Sequence, residues 1–426
     1  MNATTPRVLI LGGGFAGIAV ASRLERLLRP REASVALVSR ENFSIFTPML
    51  AEVCAGALEV RHVVTPVRSQ LRRSSVYLAD VESIDADARS VTIRHALTGE
   101  RESLGYEHLV IALGSMTSTF GIPGVREHTF ALKSLEDAAR LRNRLVWILE
   151  AADETQDPSM RRRLLTVAIV GGGFTGVEAA GEIVELFRSV LRFYPRIVPG
   201  DVKVLLVEAS AALLAGLPPR MGRYAAGNLS SRGVDVIVGD GVASVDARGL
   251  ALASTRRIES ATVVWSAGIA PAPAIAQAQL PRTKRGAIEV GADLRVEGFP
   301  NVWALGDCAA VPNGRGGTYP ATAQHAIREG PHVAENIAAA VRGEPTAPFR
   351  FTALGMMASL GARRAVAQLP GDFVLTGFLA WFLWRTYYLA RLPGLDRKVR
   401  VAFDWTLDLI FARDVAEFGI YRRGEP

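Results

Sequence analysis

Two hydrophobic periodicities alternate along the chain, as expected of strands joined by helices. Val8–Leu11 is a short aliphatic run of the buried parallel-strand kind. Ile18–Leu28 then places apolar residues at helical spacing until Arg29 and Pro30 stop it. Val35–Val38 is the second strand. The same order returns later, with a strand ending at Val170, a helix predicted to about Tyr194, and a strand over Val202–Val207 closed by Glu208. Between the copies lie a long excursion over Glu41–Arg68, a short helix predicted at Pro66–Leu71, and strand-like runs at Val76–Leu78, Val91–Arg94 and His108–Leu113. Ser134–Glu150 is predicted as an amphipathic helix and polar Asp153–Arg163 as a linker. After the second copy the pattern gives a helix at Leu217–Ser231, a strand at Val234–Val238, a small hairpin layer up to Arg257 and a strand at Val263–Ser266. Asn301–Leu305 and Thr322–Ala340 supply a last strand and helix. This is an α/β pattern with two Rossmann-like dinucleotide-binding domains.

The glycines at the two strand-to-helix turns make the reading specific. Gly12, Gly14 and Gly17 form one Gly-x-Gly-x-x-Gly; Gly171, Gly173 and Gly176 form the other. The first glycine permits the tight turn, the second lets backbone approach a pyrophosphate, and the third lets helix pack close to sheet. The helix N-terminus offers N–H groups to phosphate, which makes Phe15, Ala16, Phe174 and Thr175 candidate contacts. One fingerprint is a weak signal, whereas two in the correct setting are strong. Two dinucleotides on one chain imply an electron relay, for which the natural pair is FAD with NAD(P)H.

The residue at the end of each second strand sets the ribose contact. Glu208 can accept both ribose hydroxyls of NADH and would repel the extra phosphate of NADPH, and Ala209-Ser210 supplies no arginine to welcome it. NADH is therefore preferred. In the first copy the strand runs into Ser39, Arg40 and Glu41; Ser39 can make one hydrogen bond, with Glu41 as the alternative. An ordered excursion directly after this strand is expected to reach the ligand, with Pro48 in its proline- and aromatic-rich part. Further contacts are expected where strands stop at Gly114, at the small-residue turn Ala267-Gly268, and at Asp307, whose carboxylate can accept a ribityl hydroxyl.

Charge and cysteines narrow the setting. With 49 Lys and Arg against 42 Asp and Glu the chain carries +7, and its pI is near 9.7. That suits an anionic surface, and lipid is favoured over nucleic acid. Cys54 and Cys308 exclude a disulfide framework and fit a reducing compartment, each as a small apolar filler. No metal site is expected. Met1–Pro6 has no apolar core, so no cleavable signal segment is expected and the protein is placed in the cytoplasm.

The motifs LILGGGFAGIAVA, NFSIFTPMLAEV, YEHLVIALGS, VGGGFTGVEAAGE and NVWALGDCA together resemble the two-dinucleotide flavoprotein reductases, and within them the type II NADH dehydrogenases, single-chain NADH:quinone oxidoreductases. The resemblance covers nearly the whole chain. It implies FAD in the first fold, reduced by NADH and reoxidised by a membrane quinone. It also implies that the nicotinamide domain is inserted in the FAD domain: 1–133 and 289–348 for FAD, 134–288 for NADH, and 349–426 as a C-terminal membrane-associating helical region. Glu178 would lie close to nicotinamide, flavin and quinone, assisting hydride or proton movement; read alone, it is an acid in the first helical turn that favours the dipole. Lys133 would point into the flavin pocket. The family's Ala-Gln-x-Ala-x-Gln, beside the flavin edge where quinone enters, is matched at Ala323 and Gln324 but carries Arg328 in place of the second glutamine. His325 between them reads as a surface histidine.

The C-terminal run Phe373–Leu392 mixes aromatics with Arg385 and Arg391 and is too short in apolar length to span ~30 Å of hydrocarbon. With Arg397, Lys398, Arg400 and a second apolar helix near Val401–Phe411, it suits a peripheral anchor on anionic lipid at the cytoplasmic face of the membrane. Burial against the protein or in a homodimer is the other use of these helices. Without spanning helices there is no pumping route. Two rivals remain: a sulfide:quinone oxidoreductase, which needs paired cysteines beside the flavin, and an NADH-sensing flavoprotein that does not cycle.

Overall fold

The computed structural model describes residues 7–371 and 373–417, the side chain at 199 excepted. The reading of Met1–Pro6 and the end of the 349–426 region lie outside the described residues. Contacts divide the chain into two compact units. One comprises Met1–Ser44, Val64–Met116 and Ile269–Ala353; the other comprises Ile45–Val63, Thr117–Gly268 and Leu354–Pro426.

In the first unit a seven-stranded sheet runs in the order Val302–Ala304, His108–Ile111, Arg7–Leu11, Ser34–Ser39, Ser75–Asp85, Ser90–His95 and Arg101–Gly105. The first five are parallel, with Val8 opposite both Val35 and His108, and the last two add an antiparallel meander. Val8–Leu11 and Leu109–Ile111 are buried on both faces, which is why they are continuous aliphatic runs rather than alternating ones. The Phe15–Leu27 helix packs on this sheet and against the Ala323–Val341 helix. Small residues make the approach: a Cβ at Gly330 would come within 2.5 Å of Ala19 Cβ.

The second unit has a five-stranded parallel sheet, Phe130–Ala131, Thr262–Trp265, Thr166–Val170, Lys203–Glu208 and Val234–Val238, with Ile169 opposite Leu206 and Val264. The expected hairpin layer is an antiparallel trio, Val242–Asp246, Gly249–Leu252 and Arg257–Glu259. The Phe174–Val190 helix packs on the parallel sheet and, near Gly181, on a second antiparallel trio, Met356–Gly361, Arg364–Leu369 and Phe373–Thr376. A Cβ at Gly181 would strike the Leu360 backbone, so only glycine allows this approach.

Four elements differ from the sequence reading. Asp153–Arg163 is not an open linker: the Leu135–Glu154 helix, started by a Ser134–Asp137 capping box, runs through its beginning, and Asp157 caps a further helix over Pro158–Leu164. The second fingerprint helix ends at Val190, followed by a single 3-10 turn to Phe193, short of Tyr194. Phe373 opens a strand, and the helix starts only at Gly377 and ends at Arg391. The last helix is Leu395–Leu407, earlier than the apolar residues of Val401–Phe411 suggested. Among the described residues no helix is long and apolar enough to cross a membrane.

Candidate functional site

In the first unit three parallel strands deliver their C-terminal ends side by side, which in open α/β sheets is where ligands bind. Gly12 turns with φ +111°, and a Cβ there would run into the Ala112 carbonyl; one at Gly17 would run into the Gly12 carbonyl. Gly14, the N-cap of the Phe15–Leu27 helix, behaves differently. A Cβ added to it meets nothing within 4 Å, so the second glycine faces open space where backbone can approach a pyrophosphate. Phe15, Ala16 and Gly17 form the helix's first turn, and no side chain caps it. Gly306 packs beside Ala16, a Cβ there standing 3.4 Å from the Ala16 methyl, and sets Asp307 next to the fingerprint turn. Ser115, just past Gly114 (φ +63°), donates to Asp307 Oδ2 at 2.8 Å. Ser39 is buried; its hydroxyl donates to the Glu41 carbonyl at 2.7 Å and keeps its lone pairs for a ligand. Arg40 pairs with Asp80 at 2.6 Å on the exposed edge.

The Ala323–Val341 helix opens with Thr322 as N-cap, Ala323 and Gln324. His325 is not a surface residue. It is buried, its Nδ1 lies 2.7 Å from the Thr322 hydroxyl, and it packs against the Tyr319 ring and edge-on to Phe351; burial, with Arg328 beside it, holds its pKa below the ordinary value. Arg328 donates to the Gln324 carbonyl at 3.0 Å and lies over the Phe351 ring. Glu329 is a residue the motifs did not single out. It accepts the Gly306 N–H at 2.7 Å, fixing the turn that carries Asp307, and burial pushes its pKa up to about 7.

The second unit repeats the cradle. Gly171 turns with φ +108° against the Ala267 backbone, a Cβ at Gly176 would strike the Gly171 carbonyl, and Gly173 faces open space. Phe174, Thr175 and Gly176 start the uncapped helix. Glu208 accepts the Gly172 N–H at 2.5 Å and the Ser210 N–H at 2.7 Å, one on each oxygen, which leaves a lone pair on each for a ribose hydroxyl. Gly268 has φ +72°, and the Phe120 ring lies where a side chain there would be. Pro48 lies in the Thr47–Met49 turn, and Lys133 sits at the foot of the capped helix, its backbone N–H donating to Asp137.

Glu178 lies beyond the first helical turn rather than within it, so the dipole reading fails. Its side chain is buried beneath the second antiparallel trio, and Oε1 accepts the Ser359 N–H at 3.0 Å. Burial raises its pKa from 4.5 to about 8, opposed by the Ser359 N–H and aided by Glu182 one turn on. A carboxyl raised this far has the proton affinity that a proton donor near neutral pH needs. Cys54 and Cys308 are both buried free thiols bonded to local carbonyls, in different units; burial raises both, Cys308 to about 12.

A fingerprint turn at a parallel-sheet edge in each unit, with the next strand ending in an acid in one and in a hydroxyl in the other, defines an oxidoreductase of two dinucleotides. Residues 6–330 match the pyridine nucleotide-disulphide oxidoreductase family and 354–414 the NDH2 C-terminal domain. The chain is 33% identical over 422 residues to the type II NADH:quinone oxidoreductase Ndh of Mycobacterium tuberculosis, covering 96% of this chain and 89% of that one. A probable NADH dehydrogenase of Dictyostelium discoideum is 33% identical over 419 residues, covering 97% and 91%. In fold it matches NDH2 of Plasmodium falciparum, solved in complex with NADH, with TM-score 0.89 at 20% identity over 97% of this chain and all of that one. The chain belongs to the type II NADH:quinone oxidoreductases, within the pyridine nucleotide-disulphide oxidoreductase family.

Proposed function

We propose that this protein is an FAD-dependent NADH:quinone oxidoreductase that does not translocate protons. The observation that supports it is the pair of open glycine cradles, Gly12–Gly17 and Gly171–Gly176, each at the end of a parallel strand with an uncapped helix behind it. Both fit their cofactors: the tight glycines shape the turn and the second glycine leaves room for a pyrophosphate. FAD, when bound, supplies the chemistry of taking a hydride from NADH and returning two electrons to quinone.

The chain's own residues bind, orient and supply protons. Phe15, Ala16 and Gly17 would hold the FAD pyrophosphate, with Ser39 and Arg40 at the adenosine end and Asp307 on the ribityl chain; Gly114, Pro48, Lys133 and Ala323 complete that set. Phe174, Thr175 and Gly176 would hold the NADH pyrophosphate and Glu208 the ribose, with Gly268 in the turn after Ala267, where the Phe120 ring fills the space a side chain would take. Gln324 would orient the quinone and Glu178 would give it a proton. Membrane quinone is the acceptor, and the protein works peripherally on anionic lipid at the cytoplasmic face. The exposed apolar residues of the last two helices, Phe378, Leu379, Phe382, Leu395, Val399 and Phe403, support that placement, with a homodimer as their alternative use.

Replacing both cysteines by serine tests the sulfide:quinone alternative. Their burial in separate units supports the expected outcome, which is NADH oxidation with a soluble quinone largely intact. Loss of that activity, or sulfide oxidation abolished by the same change, would favour the rival. A single flavin reduction without steady-state NADH oxidation would identify a sensor.

A further inference from the structure

Beneath the C-terminal helices the second unit encloses a pocket of about 100 Å³, room for a few waters at ~30 Å³ each. Its walls are charged. Glu52, from the Leu50–Cys54 helix, is buried and has one bonded oxygen: Oε1 accepts the Trp405 indole N–H at 3.0 Å, while Oε2 has no protein partner. The nearest guanidinium, Arg385, stands 4.0 Å away, sandwiched between the Trp381 and Trp405 rings at 4.4 and 4.5 Å, and its Nε is also buried and unpartnered. A pair so far apart leaves Glu52 a buried acid without close compensation, and leaves Oε2 and Nε each with hydrogen-bonding capacity that water in the pocket could take up.

Every element around Glu52 contributes charge. Glu182, on the second fingerprint helix, is locked to Arg413 at 2.8 Å, and Arg413 is also held by Asp408 at 2.9 Å. The Leu135–Glu154 helix brings Arg142, whose guanidinium is engaged by the Asp414 and Ala416 carbonyls. Glu185 pairs with Arg232 on the far side of Glu182, and on the last helix Asp404 is bonded to His62. The net effect of burial and Glu182, opposed by Arg385 and Arg413, raises Glu52 to about 8. Ala362, Arg363 and Leu409, which also line the pocket, are exposed and give it access to solvent.

We propose that this pocket is a proton-loading site: Glu52 takes from solvent the one proton per turnover that NADH does not bring and relays it, by pocket water and Glu182, to Glu178. Glu182 lies one helical turn from Glu178 on the same face and raises the proton affinity of both other acids. The balance is NADH + H⁺ + quinone giving NAD⁺ + quinol. The hydride carries two electrons and one proton. The second proton leaves the Glu178 carboxyl as its O–H bond breaks and a quinol O–H forms; Glu178 is reprotonated from Glu52, and Glu52 from solvent. This rests on the reading of Glu178 as the quinone's proton donor.

The test is E52Q in the flavin-loaded full-length protein. Its amide oxygen still accepts the Trp405 N–H. Turnover is compared with a soluble quinone, which needs protons, and with ferricyanide, which needs none. The expected result is a fall of roughly 10-fold with quinone and less than about twofold with ferricyanide, a larger solvent isotope effect with quinone, and partial recovery in E52D. The infrared band of a protonated buried carboxylic acid at pH 7 should lose intensity in E52Q independently of turnover. Equal falls with both acceptors, or no fall with either, overturn the proposal. If E52Q is unaffected while E178Q loses quinone turnover, the loading site fails and the role of Glu178 stands; if E178Q also keeps full quinone turnover, the reading of Glu178 fails.

Discussion

The two fingerprint turns are near copies in backbone and opposites in side-chain chemistry. In both, the first and third glycines are pressed against neighbouring backbone and the second faces open space. The helices and second strands beyond the turns differ. The first helix buries Ala16, Val20, Ala21 and Leu24 and no acid, and its second strand ends in a hydroxyl bonded to the Glu41 carbonyl. The second helix buries Glu178 and Glu182, and its second strand ends in a carboxylate clasped by two backbone N–H groups. On the proposed reading one turn design serves a pyrophosphate twice, while proton handling and coenzyme selection belong only to the second copy.

The largest effect should come from the shared part. Valine at Gly17 or Gly176 would drive a side chain into the carbonyl one turn back, and each variant should lose about 3 kcal/mol or more, seen as insoluble or thermally unstable protein. If only one of the pair is sensitive, the two cradles are not equivalent. Next, E178Q should lower quinone turnover on the order of 100-fold. Alanine at the open glycines separates the copies more gently. G14A should weaken flavin retention and G173A should raise the KM for NADH, each about 10-fold, with melting temperature little changed. E208Q removes the repulsion toward a 2′-phosphate, and the preference in kcat/KM for NADH over NADPH should fall roughly 10-fold.

The smallest predicted effect is on stability. Glu178 binds its proton up to about pH 8 when folded and up to about 4.5 when unfolded. Between those values the native state holds a proton that the unfolded state has lost, so stability falls as pH rises through this window and levels off above it. E178Q should flatten that decline by a few degrees in melting temperature between pH 5 and 8. Glu52 contributes a decline of the same sign, so some slope should remain.

The glycine cradles and the Glu208 strand end were legible because their constraints are local: spacing alone places the turn, and the acid follows a visible aliphatic strand. The surroundings of Glu178 were not, since its partner Ser359 lies 181 residues on, in a strand with no clear alternation. That strand turns into the next through Ala362 and Arg363, both left-handed (φ 48° and 58°), where a hairpin would ordinarily advertise itself with Asn or Gly. Arg413, which ties the C-terminal segment to Glu182 across 231 residues, left no local signal either. His325 looked like a surface residue because its covering rings, Tyr319 and Phe351, flank it from outside its helix.

The most direct measurement is anaerobic mixing of the purified protein with NADH, followed by a soluble quinone, with the flavin absorbance recorded throughout. The expected trace is a bleach on NADH addition and full recovery on quinone addition, repeating with each further cycle. Protein that carries no flavin, or flavin that NADH leaves oxidised, would contradict the assignment.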